Sequence, residues 1–246
     1  MDYKNDFEDL RIKTSLGDIH VRHHTGVRQK LVFLHGFGIN SRAWSRLVAL
    51  LPDDLDVYLM DLLGHGESSA PRIDYTVEKQ TEALREVVEK AGISDCYIIG
   101  HSYGGWAVLL YAMKGYPAKG FVLENAAGVR DHIAHLESTS SIEAFKENMY
   151  RMAMKYAGNR DYVMRSVLDM ELQNQSLDSA ALSAISKPTL IIWGSDDKLI
   201  DKRSADTLSK GIRGSTLEML ESAGHDPHYT KPELVKAALL KFIGYA

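Results

Sequence analysis

The chain alternates between short segments that are almost entirely apolar and longer segments whose apolar residues recur every three or four positions. The short segments are typical of parallel strands covered on both faces, and the longer ones of amphipathic helices. We therefore predict strands at residues 30–34, 56–60, 97–99, 120–124, 189–193 and 215–220. The segments between them predict helices at residues 41–51, 77–91, 106–113, 202–209 and 232–242.

The amino-terminal part of the chain has a different pattern. Residues 10–14 and 18–22 alternate apolar with polar side chains on either side of a turn at residues 15–17. Such alternation indicates strands with one exposed face, so these residues are predicted to form a hairpin at a sheet edge.

The alternation of strands and helices is interrupted between residues 129 and 186, where the sequence is rich in Met, Tyr and Ala and predicts helices alone. One predicted helical face contains Ile142, Phe145, Met149, Met152 and Tyr156. We predict an α/β fold, with a mostly parallel sheet flanked by helices on both faces. Residues 1–128 and 187–246 would form its core, and residues 129–186 a small helical cap over the carboxyl ends of the strands.

The charge and apolar content of the chain argue against some classes of binding partner. The formal net charge of −4 leaves no basic stripe for phosphate groups, which argues against nucleic acid. No apolar run approaches the roughly 20 residues that span a bilayer, and the acidic start is unlike a secretory signal. We therefore expect a cytoplasmic protein without a membrane partner. The single Cys96 excludes an intrachain disulfide and is expected in the core, and no pattern indicates an oligomeric state.

The most informative stretch joins a predicted strand to a predicted helix with almost no loop. It contains Ser102, with Gly100 and Gly104 two residues away on either side. So sharp a turn strains the backbone of its central residue and requires small neighbours. The serine hydroxyl would then lie at the tip of the turn, beside the positive end of a helix dipole.

A serine hydroxyl is a poor nucleophile near neutral pH and needs a base that is itself oriented by an acid. Asp196 and Asp197 follow the predicted strand 189–193, and His225 follows the predicted strand 215–220. All lie at the carboxyl edge that also carries the serine. Two further residues compete for these roles at the same edge: Glu124 as the acid and His228 as the base, although His228 is expected in the pocket wall or at the surface.

Five patterns along the chain resemble those of the α/β-hydrolase family. They are G-x-S-x-G at 100–104, H-G-x-G at 35–38, D-x-x-G-x-G-x-S at 61–68, and G-x-x-D at 194–197 followed by Gly-His at 224–225. The resemblance implies Ser102 as nucleophile, His225 as general base and acid, and Asp197 as the orienting carboxylate. It also implies an oxyanion hole formed by the backbone N–H groups of Phe37 and Tyr103.

The remaining histidines indicate no cofactor and no metal. His35 and His101 flank the predicted catalytic loops and are expected to make structural hydrogen bonds to the backbone. His132 and His135 have an i, i+3 spacing that would suit a metal, but no third ligand is evident and a solvated helix face explains them. The five methionines of the predicted cap either pack it onto the core or line an apolar substrate pocket.

The resemblance implies a cofactor-free serine hydrolase that cleaves small to medium carboxylic esters through an acyl-enzyme intermediate, with a small-molecule ester as its partner. Relatives that open epoxides or displace halide carry aspartate where this chain has Ser102, so those reactions are not expected. Two alternatives stay open. One is a carbon–carbon bond hydrolase of ring-cleavage diketo acids, and the other is a ligand-binding receptor on a hydrolase scaffold.

Overall fold

The computed structural model describes residues 7–129, 139–156, 158–173, 177 and 179–245. Its strands are β1 (Glu8–Thr14), β2 (Gly17–His24), β3 (Lys30–Leu34), β4 (Asp56–Met60), β5 (Tyr97–His101), β6 (Gly120–Glu124), β7 (Thr189–Gly194) and β8 (Thr216–Leu220). Its α-helices are α1 (Ser45–Val48), α2 (Val77–Lys90), α3 (Ser102–Met113), α4 (Thr139–Ala153), α5 (Asp161–Gln173), α6 (Ser179–Leu182), α7 (Arg203–Gly211), α8 (Pro227–Thr230) and α9 (Pro232–Phe242).

Within these residues the strands form one eight-stranded sheet in the order β1-β2-β4-β3-β5-β6-β7-β8. In this order, every neighbouring pair from β4 through β3 to β8 is parallel, whereas β1–β2 and β2–β4 are antiparallel. This arrangement confirms the predicted mostly parallel sheet. It also confirms the amino-terminal hairpin, because β1 lies at the edge and its exposed and partly buried residues alternate.

Apolar residues that alternate along the central strands pack into two cores, one on each face of the sheet. In β3, Leu31 and Phe33 join the core that contains α1 and α9, whereas Val32 and Leu34 join the core that contains α2, α3 and α7. Both faces are therefore covered by helices, which explains why residues 31–34 of β3 are all apolar.

Most predicted boundaries agree with the structure to within a few residues, but two differ. The predicted helix at 106–113 begins four residues earlier, at Ser102, because β5 passes directly into α3. The predicted helix at 41–51 is instead a short 3₁₀ turn (Ser41–Trp44) followed by α1. Asn40 caps this turn, since its side chain accepts a hydrogen bond from the N–H of Arg42 at 3.0 Å.

The D-x-x-G-x-G-x-S segment after β4 forms hydrogen bonds that connect several neighbouring segments. The buried carboxylate of Asp61 accepts hydrogen bonds from the N–H groups of Ser41 (2.7 Å) and Glu67 (2.9 Å) and binds Nδ1 of His20 (2.8 Å). Ser68 Oγ in turn donates to the carbonyl of Asp61 at 2.7 Å. The motif therefore joins the loops after β3 and β4 to the neighbouring strand β2.

Helices α4 to α6 lie between β6 and β7 and contact the loops after β3 and β4. Asn159 donates to the carbonyl of Gly38 at 2.6 Å, and the N–H of Tyr75 donates to Ser166 Oγ at 2.9 Å. The predicted division at residues 128 and 187 stays a prediction, but these contacts are those expected of a cap. None of the helices described is long and apolar enough to cross a membrane.

The apolar face predicted along residues 142–156 is wrong at its end. Met152 is 45% exposed although it lies within α4, and Tyr156 is 50% exposed beyond Ala153, where α4 ends. Met164, by contrast, is fully buried on α5 beside Val163 and Val167, as expected of a helix packed on the core. The proposed metal spacing of His132 and His135 lies outside the described residues.

Candidate active site

Ser102 occupies a strained position at the junction of β5 and α3. Its φ of +51° lies in the left-handed region, which non-glycine residues rarely adopt. The flanking glycines permit this turn. A Cβ at Gly104 would lie 2.4 Å from the carbonyl oxygen of His35, and one at Gly100 would lie 2.6 Å from the carbonyl oxygen of Gly104. The sequence motif therefore forms the sharp strand-to-helix turn that it predicted.

Asp197 and His225 form a hydrogen-bonded pair at the same edge of the sheet. Nδ1 of His225 lies 2.8 Å from Oδ2 of Asp197, whose side chain is fully buried. An ionised carboxylate only accepts, so Nδ1 carries the proton and Nε2 is left as the basic nitrogen. The competing Asp196 is exposed, and its carboxylate binds the hydroxyl of Ser195.

Three further groups hold the Asp197 carboxylate. Oδ1 accepts from the N–H groups of Leu199 (2.8 Å) and Ile200 (3.1 Å), and Oδ2 also accepts from Nδ2 of Asn125 at 2.6 Å. Asn125 was not identified from the sequence. It directly follows β6 with a φ of +42°, and a polar residue that tolerates this conformation after a buried strand was the available signal.

The charges of the pair are complementary. Burial alone would raise the pKa of Asp197, but the hydrogen bond and charge of His225, followed by the hydrogen bond from Asn125, lower it below its ordinary value. Burial alone would lower the pKa of His225, but Asp197, and then the charges of Asp226 and Glu124, raise it above 6.5. Both shifts favour a stable imidazolium beside a carboxylate.

His101 connects the serine turn to the loop of His225. Its Nε2 lies 2.9 Å from the carbonyl oxygen of His225, and the two rings lie 4.8 Å apart. Burial, together with His228 and His225, lowers the pKa of His101 to about 3, so the ring is neutral. Among the described residues, no hydrogen bond joins Ser102 directly to His225.

The loop after β3 lies against Ser102. A Cβ at Gly36 would lie 2.9 Å from Nδ1 of His101 and 3.3 Å from Cβ of Ser102, so only glycine allows this approach. Phe37, the next residue, is thereby placed close to the serine turn, and Tyr103 follows Ser102 in the first turn of α3. These are the two residues predicted to supply oxyanion N–H groups.

Glu124 and His228, the two competing candidates, pair with each other and not with Asp197 or His225. Glu124 is fully buried, and its Oε1 accepts from the backbone N–H of His228 (2.7 Å) and lies 3.1 Å from Nδ1 of the same residue. His228 is only 2% exposed, so it does not lie at the surface. A buried carboxylate required a partner, and His228 supplied it.

The other histidines make the structural contacts expected of them. Nδ1 of His35 binds the carbonyl of Gly36 at 2.7 Å, and its Nε2 accepts from the N–H of Leu62 at 3.0 Å. The side chains of His101, Asp226 and His228 also approach one another closely enough for a metal. However, Nε2 of His101 binds a carbonyl and Nδ1 of His228 binds Glu124, so one nitrogen of each ring already has a partner.

Comparison with known proteins agrees with this geometry. The model of the Alpha/beta hydrolase family matches residues 31–238, which include both the serine turn and the Asp197–His225 pair. The chain belongs to this family. It is therefore a hydrolase by family, and the resemblance inferred from its motifs is confirmed.

Individual family members are distant. Lipase 1 of Psychrobacter immobilis is 29% identical over 260 residues, which cover 92% of this chain and 81% of the lipase. A membrane phospholipase A described as a bacterial virulence factor superimposes with a TM-score of 0.83 at 20% identity, covering 97% and 86% of the chains. A serine hydrolase involved in carbazole degradation (CarC) superimposes with a TM-score of 0.82 at 20% identity, covering 98% and 100%. These structural likenesses show the fold.

Proposed function

We propose that this α/β-hydrolase cleaves small to medium carboxylic esters, with Ser102 as nucleophile. The observation that carries the proposal is the Asp197–His225 pair at the sheet edge where the strained Ser102 begins α3. Similarity to Lipase 1 of Psychrobacter immobilis supports an ester as the substrate. The reaction needs no cofactor.

In the proposed mechanism His225 Nε2 removes the proton of the Ser102 hydroxyl as the oxygen attacks the ester carbonyl. Asp197 holds Nδ1 of the ring and stabilises the imidazolium that forms. The proton then passes from Nε2 to the departing alcohol, which leaves an acyl group on Ser102. Water attacks that acyl group with His225 again as the base, releasing the acid and restoring the serine.

The negative charge that develops on the carbonyl oxygen is assigned to the backbone N–H groups of Phe37 and Tyr103. Gly36 brings the first of these residues beside Ser102, and the second follows Ser102 directly. Removing one such donor typically costs about 3 kcal/mol of transition-state stabilisation, so both positions matter to the rate.

The test is hydrolysis of p-nitrophenyl esters of increasing acyl length by the wild-type protein and by Ser102→Ala. We expect turnover with a preferred chain length, reduced by about 10⁶-fold in the variant. Ser94→Ala is the matched control, because Ser94 precedes β5 at the opposite end of that strand. Full activity of Ser102→Ala would refute the proposed nucleophile.

Absence of ester turnover in a folded protein would favour one of the alternatives. Faster cleavage of vinylogous diketo acids than of esters would indicate a carbon–carbon hydrolase, which uses the same three residues. Tight binding of a ligand with negligible turnover would indicate a receptor. The intact Ser102, Asp197 and His225 support an enzyme over a receptor.

A further inference from the structure

A second buried carboxylate–imidazole pair lies beside the first. Glu124, the last residue of β6, is fully buried, and a single oxygen of its carboxylate binds both the backbone N–H and Nδ1 of His228. The other oxygen, Oε2, is buried without a hydrogen-bond partner in the described part of the chain. His228 lies only three residues after His225.

The pair completes a three-point attachment of the loop that carries His225. From β5, Nε2 of His101 binds the carbonyl of His225 at 2.9 Å. From the loop after β7, Asp197 binds the His225 ring. From β6, Glu124 binds His228, which lies in the short helix α8 directly after this loop. Each anchor comes from a different element of the sheet edge.

The ring of His228 is held on its other sides by aromatic contacts. It packs on Trp44 with ring centres 4.4 Å apart and meets His101 edge-on at 4.7 Å. The ring of His101 in turn lies 4.8 Å from that of His225. A shift in the position of His228 would therefore also displace His225. The displacement would act through the short stretch of backbone between them and through the ring of His101, which contacts both.

We propose that Glu124 and His228 are positioning residues for His225, holding its imidazole in the orientation from which it activates Ser102. The inference rests on the proposed nucleophile and deepens it, since neither residue contacts the reacting atoms. A buried carboxylate is costly unless it is paired, and this one is used to fix a backbone N–H and a ring beside the catalytic loop.

The charge of Glu124 also acts on His225. The groups that face this imidazole are Asp197 from the loop after β7, Glu124 from β6, the neutral His101 from β5, and Asp226 and His228 from its own loop. Removing the charge of Glu124 while keeping its shape should therefore make His225 less basic. A purely structural role for Glu124 would lower stability without changing the pH at which His225 titrates.

The experiment measures the second-order rate at which an alkyl fluorophosphonate modifies Ser102, as a function of pH. This probe reports activation of the serine without requiring the correct ester. The variants are Glu124→Gln, Glu124→Ala and His228→Gln. Glu86→Gln is the control. Glu86 lies on α2 and is another buried carboxylate that accepts a backbone N–H, here from Ser15 in the turn between β1 and β2. Urea denaturation of each variant establishes that it is folded.

For Glu124→Gln, which can still accept from His228, we expect the midpoint of the acidic limb to move to lower pH. Glu124→Ala removes both bonds to His228, and we expect its maximal rate to fall by about 100-fold, as for a misplaced catalytic group. His228→Gln loses the imidazole ring but keeps the backbone N–H bond to Glu124, so we expect a smaller fall. Glu86→Gln should match the wild type in both midpoint and maximal rate. Wild-type midpoint and rate in folded Glu124→Gln and Glu124→Ala would overturn the inference.

The outcomes also separate this inference from the proposed function. A wild-type protein that is labelled at Ser102 but hydrolyses no ester would refute ester hydrolysis alone, and the variants would still test the positioning pair. A wild-type protein that is not labelled at all would refute both the nucleophile and the positioning role.

Discussion

Asn125 donates a hydrogen bond of 2.6 Å from Nδ2 to Oδ2 of Asp197, the same oxygen that binds His225. Its own Oδ1 accepts from the N–H of Gly194 at 3.2 Å, at the end of β7. A single amide side chain thus ties β6 to β7 and orients the carboxylate that in turn orients the imidazole. Asn125 and Asp197, which are 72 residues apart in the sequence, together orient the His225 ring.

Removing the Asn125 side chain should lower activity although Ser102, Asp197 and His225 are all kept. A hydrogen bond to a charged group contributes about 1.5–3 kcal/mol, so we expect Asn125→Gly to lower kcat/KM by about 10- to 100-fold. Glycine adopts the positive φ at this position without strain, which separates lost contact from backbone strain.

Asn125→Ala serves as the comparison, because alanine removes the same contact and adds strain. We expect both variants to lose similar activity in ester hydrolysis, while Asn125→Ala unfolds at lower urea concentration. Wild-type kcat/KM in Asn125→Gly would show that Asp197 needs no support from β6.

The rate should depend on pH through His225. As the proposed base, this residue must be neutral to take the serine proton, and its neighbours raise its pKa above 6.5. We therefore expect kcat/KM to fall on acidification with a midpoint above 6.5. Asp226→Asn removes one of the carboxylates that raise the pKa of His225, so its midpoint should lie at lower pH.

Asp95→Asn is the control for this measurement, because Asp95 precedes β5 and pairs with Lys30 at the other end of the sheet. Its midpoint should equal that of the wild type. A midpoint below 6.5 in the wild type would contradict the electrostatic description of the Asp197–His225 pair.

Stability should depend on pH through His20. The ring is buried between Asp61 and Asp9, at 2.8 Å from each, and these hydrogen bonds raise its pKa despite burial. The stabilising contribution is therefore complete below the unfolded pKa of about 6.5. It is lost as pH rises through the higher pKa of the folded chain.

We expect His20→Gln to lower the free energy of unfolding by about 2 kcal/mol at pH 6, and by less at pH 9. Urea denaturation at both pH values measures the difference. His24→Gln is the control, since Nε2 of His24 binds only a backbone carbonyl of Asp53. A loss that is equal at the two pH values would contradict a charged His20.

Gly38 should tolerate no side chain, because it joins the loop after β3 to the end of α4. Its φ is +72°, and an added Cβ would lie 2.4 Å from Cβ of Ala153. We expect Gly38→Ala to displace the neighbouring Phe37 and lower kcat/KM at least about 10-fold. Adding Ala153→Gly removes the closest overlap but leaves the strained φ and the contact of 2.9 Å with Cα of residue 153, so it should restore only part of the activity. Full activity of the single variant would show that this contact does not position the loop.

The elements around Ser102 were predictable because their physical requirements are local. A turn from strand to helix over so few residues needs glycines at 100 and 104, and a strand covered on both faces needs the apolar run of β3. The end of the predicted face along residues 142–156 was not predictable in this way. Where α4 stops depends on how the chain turns toward Asn159 and Gly38, which is a contact between distant residues.

The choice among chemically equivalent groups also required the tertiary structure. The order of residues along the chain offered Asp196, Asp197 and Glu124 as acids, and only the resemblance to the family favoured Asp197. In the folded chain Asp197 binds His225 and Glu124 binds His228. Asn125 carried almost no sequence signal, because its importance comes from Asp197, 72 residues away.

The sequence by itself determined the α/β architecture, the family and the sharp turn that presents Ser102, because periodicity, glycine placement and motif order act over short distances. Only the tertiary structure showed that Asn125 supports Asp197 and that Glu124 and His228 form a buried pair of their own. Hydrogen bonds between side chains depend on distances of tenths of an ångström, which are set by the packing of the whole sheet edge.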